Sequence, residues 1–155
     1  MKKWCLLFVV LALAGCAESS AATQKTDGLK AADMIAEYRA EASTLKLADG
    51  WTWPGDEKFM TKTTDGHNVI YQPGFGKQAA DRHWYCSWVN KALTAKTGRD
   101  TALAEALKVR QTYYYTNSLQ AESRTFFEGV LQRAALGDLA PIASDFQQNC
   151  DKESI

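Results

Sequence analysis

The chain has 155 residues, 46% hydrophobic and 23% charged, which suits one globular domain and leaves little room for two. Its 18 Lys and Arg balance 18 Asp and Glu, so the formal charge is zero. That balance argues against nucleic-acid binding, which needs a basic stripe to displace counterions, and no run of five like charges forms an interaction tail.

The amino terminus reads "MKKWCLLFVVLALAGC". Lys2 and Lys3 form a basic start, and residues 6–14 form an uncharged run of nine. A bilayer core needs about 20 apolar residues, so residues 1–15 read as a signal peptide. Its removal takes Lys2 and Lys3 and leaves 16 basic against 18 acidic groups. The ending "LAGC" resembles the bacterial lipobox. The resemblance implies that Cys16 becomes the first mature residue, with a diacylglyceryl group on its thiol and often an acyl chain on its amine. Each buried CH₂ contributes about 0.8 kcal/mol, and two chains or more give stable anchoring. Ala17 rather than Asp follows the cysteine. The resemblance then implies the outer membrane in a two-membrane bacterium, or the outer face of the cell membrane in a one-membrane host. The alternatives are a plain signal peptide cut elsewhere and an uncleaved anchor.

Residues 16–26 read as the lipidated cysteine and a small, polar tether. The nine residues 17–25 would span roughly 15–18 Å r.m.s. as flexible chain. Residues 27–155 read as a single helical domain. Asp27 is placed to cap a helix starting near Gly28 or Leu29, with Ile35, Tyr38, Ala42 and Leu45 on one stripe and Gly50 ending it. "WTWPGDEKF" is a turn around Pro54 and Gly55, and residues 61–72 read as an irregular or extended segment. "PGFG" is another turn, leading into a helix over about 77–96. Trp84, Tyr85, Trp88, Val89, Ala92 and Leu93 give that helix a broad apolar face, which predicts the centre of the core. Gly98 caps it. Asp100 caps a helix over about 101–116, with Leu103, Leu107 and Tyr114 inward. A further helix is predicted over about 119–136, with Phe126, Phe127, Val130 and Leu131 apolar and Gly137 at its end. A short last helix, about 141–150, has Pro141 in its first turn and packs through Ile142 and Phe146. The expected fold is all-α: four longer helices and a short carboxy-terminal one around one core, with an irregular, loop-rich insertion after the first helix.

Cys5 leaves with the signal peptide and Cys16 takes the lipid, so Cys86 and Cys150 remain. Outside the cytoplasm an even remainder points to a disulfide. It would close a loop of about 65 residues, worth roughly 4 kcal/mol in the chain-entropy model. The alternative is a reactive thiol at Cys86, with His83 three residues earlier on the same helix face.

"YQPGFGKQAADRHWYCSW", "DFQQNC", "WTWPGD" and "LGD" together resemble a group of uncharacterised actinobacterial secreted proteins. Those share a Pro-Gly-aromatic-Gly turn, a W-x-C-x-W helix and a second cysteine near the end. The resemblance covers about half of the mature chain. It implies a secreted helical domain with one disulfide, supports the Cys86–Cys150 pairing, and implies no activity.

No catalytic signature stands out. His67 and His83 are the only histidines, and no H-x-x-x-H or C-x-x-C pair makes a zinc site, so neither metal nor cofactor is assigned. G-x-S-x-G is absent. Ser87 follows His83 by one helical turn, and Glu37, Glu41, Glu122 and Glu128 are the carboxylates from which a hydrolytic pair would be drawn. No glycine loop after a strand cradles phosphate. The aromatic residues are more informative. Trp51 and Trp53 flank one loop residue; they either fold back as a lid on the core, the favoured reading, or stack on sugar rings or lipid head groups at a half-wet interface. Tyr113, Tyr114 and Tyr115 span roughly 200° of a helix, so at least one must be partly exposed.

These features predict a membrane-anchored lipoprotein that binds or interacts at the cell envelope. Its surface would be Trp51, Trp53 and Tyr113–Tyr115, its partner an envelope protein or glycan. Two alternatives stand beside it: a small envelope enzyme using His83, and a structural or inhibitory lipoprotein. A cleft joining His83 to a carboxylate would favour the enzyme. An exposed apolar patch would favour binding.

Overall fold

The computed structural model describes residues 28–150. Cys16, the signal peptide, the tether and Asp27 therefore lie outside the described residues. The fold is mostly helical with one very small sheet. Strand β1 (Leu29–Lys30) leads directly into helix α1 (Ala31–Ala42). Strand β2 (Ile70–Tyr71) pairs antiparallel with β1, Leu29 opposite Tyr71 and Lys30 opposite Ile70. Helices α2 (Phe75–Thr94), α3 (Arg99–Ala106), α4 (Ala121–Ala135) and α5 (Ala140–Asn149) follow.

The first helix begins later and ends sooner than its apolar stripe predicts. Residues 29 and 30 join the sheet instead, and the buried stripe is Ala31, Met34, Tyr38 and Ala42, without Leu45. The hydroxyls of Ser43 and Thr44 donate to the carbonyls of Ala40 and Glu41, closing the last turn. Leu45 then packs against the second cluster described below. Residues 61–72 are more ordered than an irregular segment. Lys62 bridges Asn68 across a turn at Gly66, whose φ is +86°. The Tyr71 hydroxyl donates to the Met60 carbonyl at 2.7 Å.

Helix α2 is buried on nearly every side, from Gly76 to Ala92. Two apolar clusters share it, where the sequence predicts one core. Met34, Tyr38, Phe59 and Ala80 form the smaller cluster with α1. Trp84, Val89, Val109, Phe127, Leu131 and Ile142 lie in the larger one, with α3, α4 and α5. Trp53 packs against both. Cys86 and Cys150 are in disulfide contact, Cα atoms 5.4 Å apart, tying the end of α5 to the middle of α2.

Two glycines set the approach to α2. Gly74 has φ +86°, and its N–H donates to the Glu37 carboxylate at 3.0 Å. A methyl on Gly76 would run into the Met34 carbonyl and the Tyr38 amide, so only glycine lets α1 and α2 pack this closely.

The predicted helix over 101–116 is instead three pieces. α3 tightens into a 3₁₀ turn (Leu107–Gln111), and a π-helical turn (Tyr114–Ser118) follows after Thr112 and Tyr113. Asp100 lies within α3, and Gly98, φ +72°, precedes it. Phe126, one of the four apolar residues named on this helix, is 75% exposed, because the buried face of α4 is Phe127, Val130, Leu131 and Ala134.

Candidate functional site

The tryptophan loop closes on α2. Trp51 and Trp53 stand on the His83 ring at centroid distances of 5.1 and 5.4 Å. Both are half-buried, and His83 is 5% exposed. Its Nε2 donates to the Thr52 carbonyl at 2.9 Å, while Nδ1 has no hydrogen-bond partner among the described residues. Burial lowers the His83 pKa despite that bond, which favours the neutral ring. Ser87 donates to the Trp84 carbonyl at 2.7 Å and accepts from the Ala48 N–H at 3.1 Å. It therefore ties loop to helix, and its oxygen is not paired with His83. The triad-like reading of these two residues finds no geometry to support it.

The three tyrosines are all half-buried and take different partners. The Tyr113 hydroxyl lies over Gly74, with the Lys77 ammonium 5.4 Å above its ring. Tyr114 packs against Phe127 and under the Arg82 guanidinium. Tyr115 donates to Glu128 at 2.8 Å. Arg110 grips the same carboxylate through Nε and Nη2, both at 3.0 Å. These bonds, the arginine's above all, pull Glu128 down to about 2. Glu37 is spent on the Gly74 amide. Glu122 is exposed and Glu41 half-buried. Among the described residues no three His, Cys, Asp or Glu side chains gather where a metal ion would sit.

Beneath the tyrosines Asp81 is fully buried. Its Oδ2 accepts from the Tyr114 N–H at 2.8 Å, and Oδ1 has no hydrogen-bond partner among the described residues. Burial raises this carboxyl from 3.8 to about 6, against the Tyr114 amide, which favours the charged form. Asp81 thus holds the start of the π-helical turn from a different helix.

An apolar cleft of about 300 Å³ opens at the amino-terminal end of α2. Its floor is Phe59, Met60, Tyr71, Phe75 and Ala79. Met60 is 59% exposed and Phe75 38%, and the Tyr71 and Phe75 rings sit 5.0 Å apart. Phe75, Gln78, Ala79 and Arg82 recur at helical spacing, so one face of α2 forms a wall. Lys58 lines the cleft from the loop. Arg82 donates to the Asn149 carbonyl at 3.0 Å. Neither cation has an ion-pair partner among the described residues, and no carboxylate lines the cleft. A wider hollow of about 570 Å³ runs past Trp53, but its arginine, Arg39, is already paired with Asp56.

The cleft was not legible as a site. Met60 reads as loop and Phe75 as part of a glycine turn; only the 75–78–79–82 spacing signals a shared face. Comparison with family models, with curated proteins and with solved structures finds no match to this chain. Among the described residues no helix is long and apolar enough to cross a membrane.

Proposed function

We propose that this protein is a membrane-anchored lipoprotein of the cell envelope whose working element is the cleft at the start of α2. The observation that carries the binding reading is that cleft: an open apolar floor with two cations beside it. Exposed apolar side chains that gather in a hollow, as Met60 and Phe75 do here, mark binding sites more than singly exposed ones do, and concave, mostly apolar sites with a few polar groups are the usual form of small-ligand sites. His83 and Ser87 bond to backbone groups through Nε2 and Oγ, so binding is favoured over catalysis. The anchor rests on the lipobox-like "LAGC" ending at Cys16. Gly28 packs against Ile70 in β2, and Tyr71 of the same strand lines the cleft. A lipid at Cys16 would therefore hold the cleft within a short tether's reach of the bilayer.

Two measurements test this. The Cys16→Ser protein should leave the membrane fraction; equal retention removes the anchor from the proposal. A photo-reactive amino acid placed at Met60 in intact cells should capture an envelope component. Capture no greater than from the exposed Thr64 removes the cleft.

A further inference from the structure

We propose that the cleft takes a single-chain anionic amphiphile, an acyl carboxylate whose apolar chain lies on Phe59, Met60, Tyr71 and Phe75 and whose head meets Lys58 and Arg82. This deepens the binding reading above and rests on it.

Size, polarity and charge lead to that class. The cavity, about 300 Å³, is at the lower end of small-molecule sites, which suits one chain and excludes a two-chain lipid lying wholly inside. Its floor offers aromatic and thioether surface and nothing that demands a hydrogen bond, as an alkyl chain requires. Met60 adds an unbranched, adaptable side chain of the kind that accommodates chains of varied shape. The polar groups are unequal in sign: two cations and one amide, Gln78, with no carboxylate. A cationic head there would meet repulsion, whereas an anionic head would be attracted to both cations.

Arg82 is the better placed of the two cations. It stands two helical turns from Phe75, about 10 Å along the axis, so chain and head can be engaged together. Its guanidinium is already oriented by the Asn149 carbonyl and the Tyr114 ring, 5.8 Å away. One carbonyl acceptor leaves further N–H groups for a carboxylate. Lys58, exposed on its loop, supplies the second charge with less constraint.

The test uses the full chain carrying Cys16→Ser, which bears no lipid of its own. Binding of the neutral apolar dye N-phenyl-1-naphthylamine reports on the floor, and competition by decanoate against decanol reports on the charge. Decanoate should displace the dye at least tenfold better than decanol. Lys58→Gln should weaken decanoate by up to about fivefold, as for a solvent-exposed charge pair. Arg82→Gln should weaken it by roughly tenfold or more, as for a charge-assisted hydrogen bond. Each should weaken decanoate by a larger factor than it weakens the uncharged dye. Met60→Asp, at a position 59% exposed, should abolish dye binding while preserving the unfolding midpoint, and Phe75→Asp should abolish it with a lowered midpoint, since that ring also packs on Tyr71. Dye that binds through Met60 and Phe75 but yields equally to decanoate and decanol overturns the anionic ligand and leaves the cleft a binding site. Absence of dye binding sinks both readings. Decanoate acting only through adsorption to phosphatidylglycerol vesicles, with no effect on the dye in solution, makes the source a membrane and refutes the free amphiphile. A need to delete residues 151–155 before any probe binds makes the occupant the chain's own tail and equally refutes it.

Discussion

Asp81→Asn should stabilise this protein at neutral pH. The carboxyl is 0% exposed, its Oδ1 has no hydrogen-bond partner among the described residues, and burial, with a smaller contribution from the Glu41 charge, raises it from 3.8 to about 6 against the opposing pull of the Tyr114 and Tyr113 amides and the Thr112 side chain. Moving a carboxyl that far costs its charged form about 3 kcal/mol relative to the unfolded chain. A group raised in the folded state contributes stability that is fully present below its unfolded pKa and lost as pH rises through about 6. The parent should therefore weaken between about pH 4 and pH 7 through this residue. Asparagine keeps the acceptor for the Tyr114 N–H and removes the charge, but brings an amide N–H₂ to where Oδ1 has no partner. That unsatisfied donor costs about 1 kcal/mol. The net expectation is a gain of about 2 kcal/mol at pH 7.5, and a small loss below about pH 4. Urea unfolding of both proteins across that range measures it. His83 acts with the opposite sign: its pKa is lowered on folding, so its contribution is present above about pH 6.5 and lost as pH falls. Subtracting the parent curve from the variant curve cancels it. A variant less stable than the parent by the same amount at every pH would refute the reasoning, because the Tyr114 bond would then outweigh the burial of charge.

Further outcomes follow from the packing and the polar contacts. Gly76→Ala should destabilise by about 3 kcal/mol, since the new methyl meets backbone of α1 that cannot yield as a side chain would; a change under about 0.5 kcal/mol in denaturant unfolding would contradict the close helix contact. Reducing Cys86–Cys150 should lower stability by about 4 kcal/mol for a separation of 64 residues, and non-reducing peptide mapping should recover the joined pair; two free thiols in protein purified without reductant would refute it. Arg110→Met and Glu128→Gln should show a coupling of about 1 kcal/mol in a double-mutant cycle, because the pair is bidentate yet each side chain is nearly a third exposed. Glu128 is lowered to about 2, so its contribution should persist above about pH 4.5 and disappear as pH falls toward 2.

Much of the helical skeleton was legible in the chain because its signals are local. The apolar spacing from Trp84 to Ala92 and the pairing of Pro141 with Ile142 act within a turn or two, so α2 and α5 fall within two residues of expectation. Disulfide contact between Cys86 and Cys150 was legible by elimination, given the reading of Cys5 and Cys16. The segment from 107 to 118 was not, because Asp81 reaches it from another helix. That carboxylate takes the Tyr114 N–H and leaves a 3₁₀ turn and a π-helical turn where local propensity favours one α-helix. The strand at Leu29 and Lys30 depends on Tyr71 and Ile70, far along the chain, and no local pattern announces it.

The candidate site divides the same way. Sequence alone determined that α2 is dense in aromatic residues and that Trp51 and Trp53 precede a turn from which they can fold back on the core. Tertiary structure decided that these tryptophans close over His83, while Met60 and Phe75 stand in the open beside Lys58 and Arg82. The reason is physical: helix formation is governed by neighbours three and four residues apart. A cleft is the space left between a loop, a strand and a helix, and its shape exists only once all three have packed.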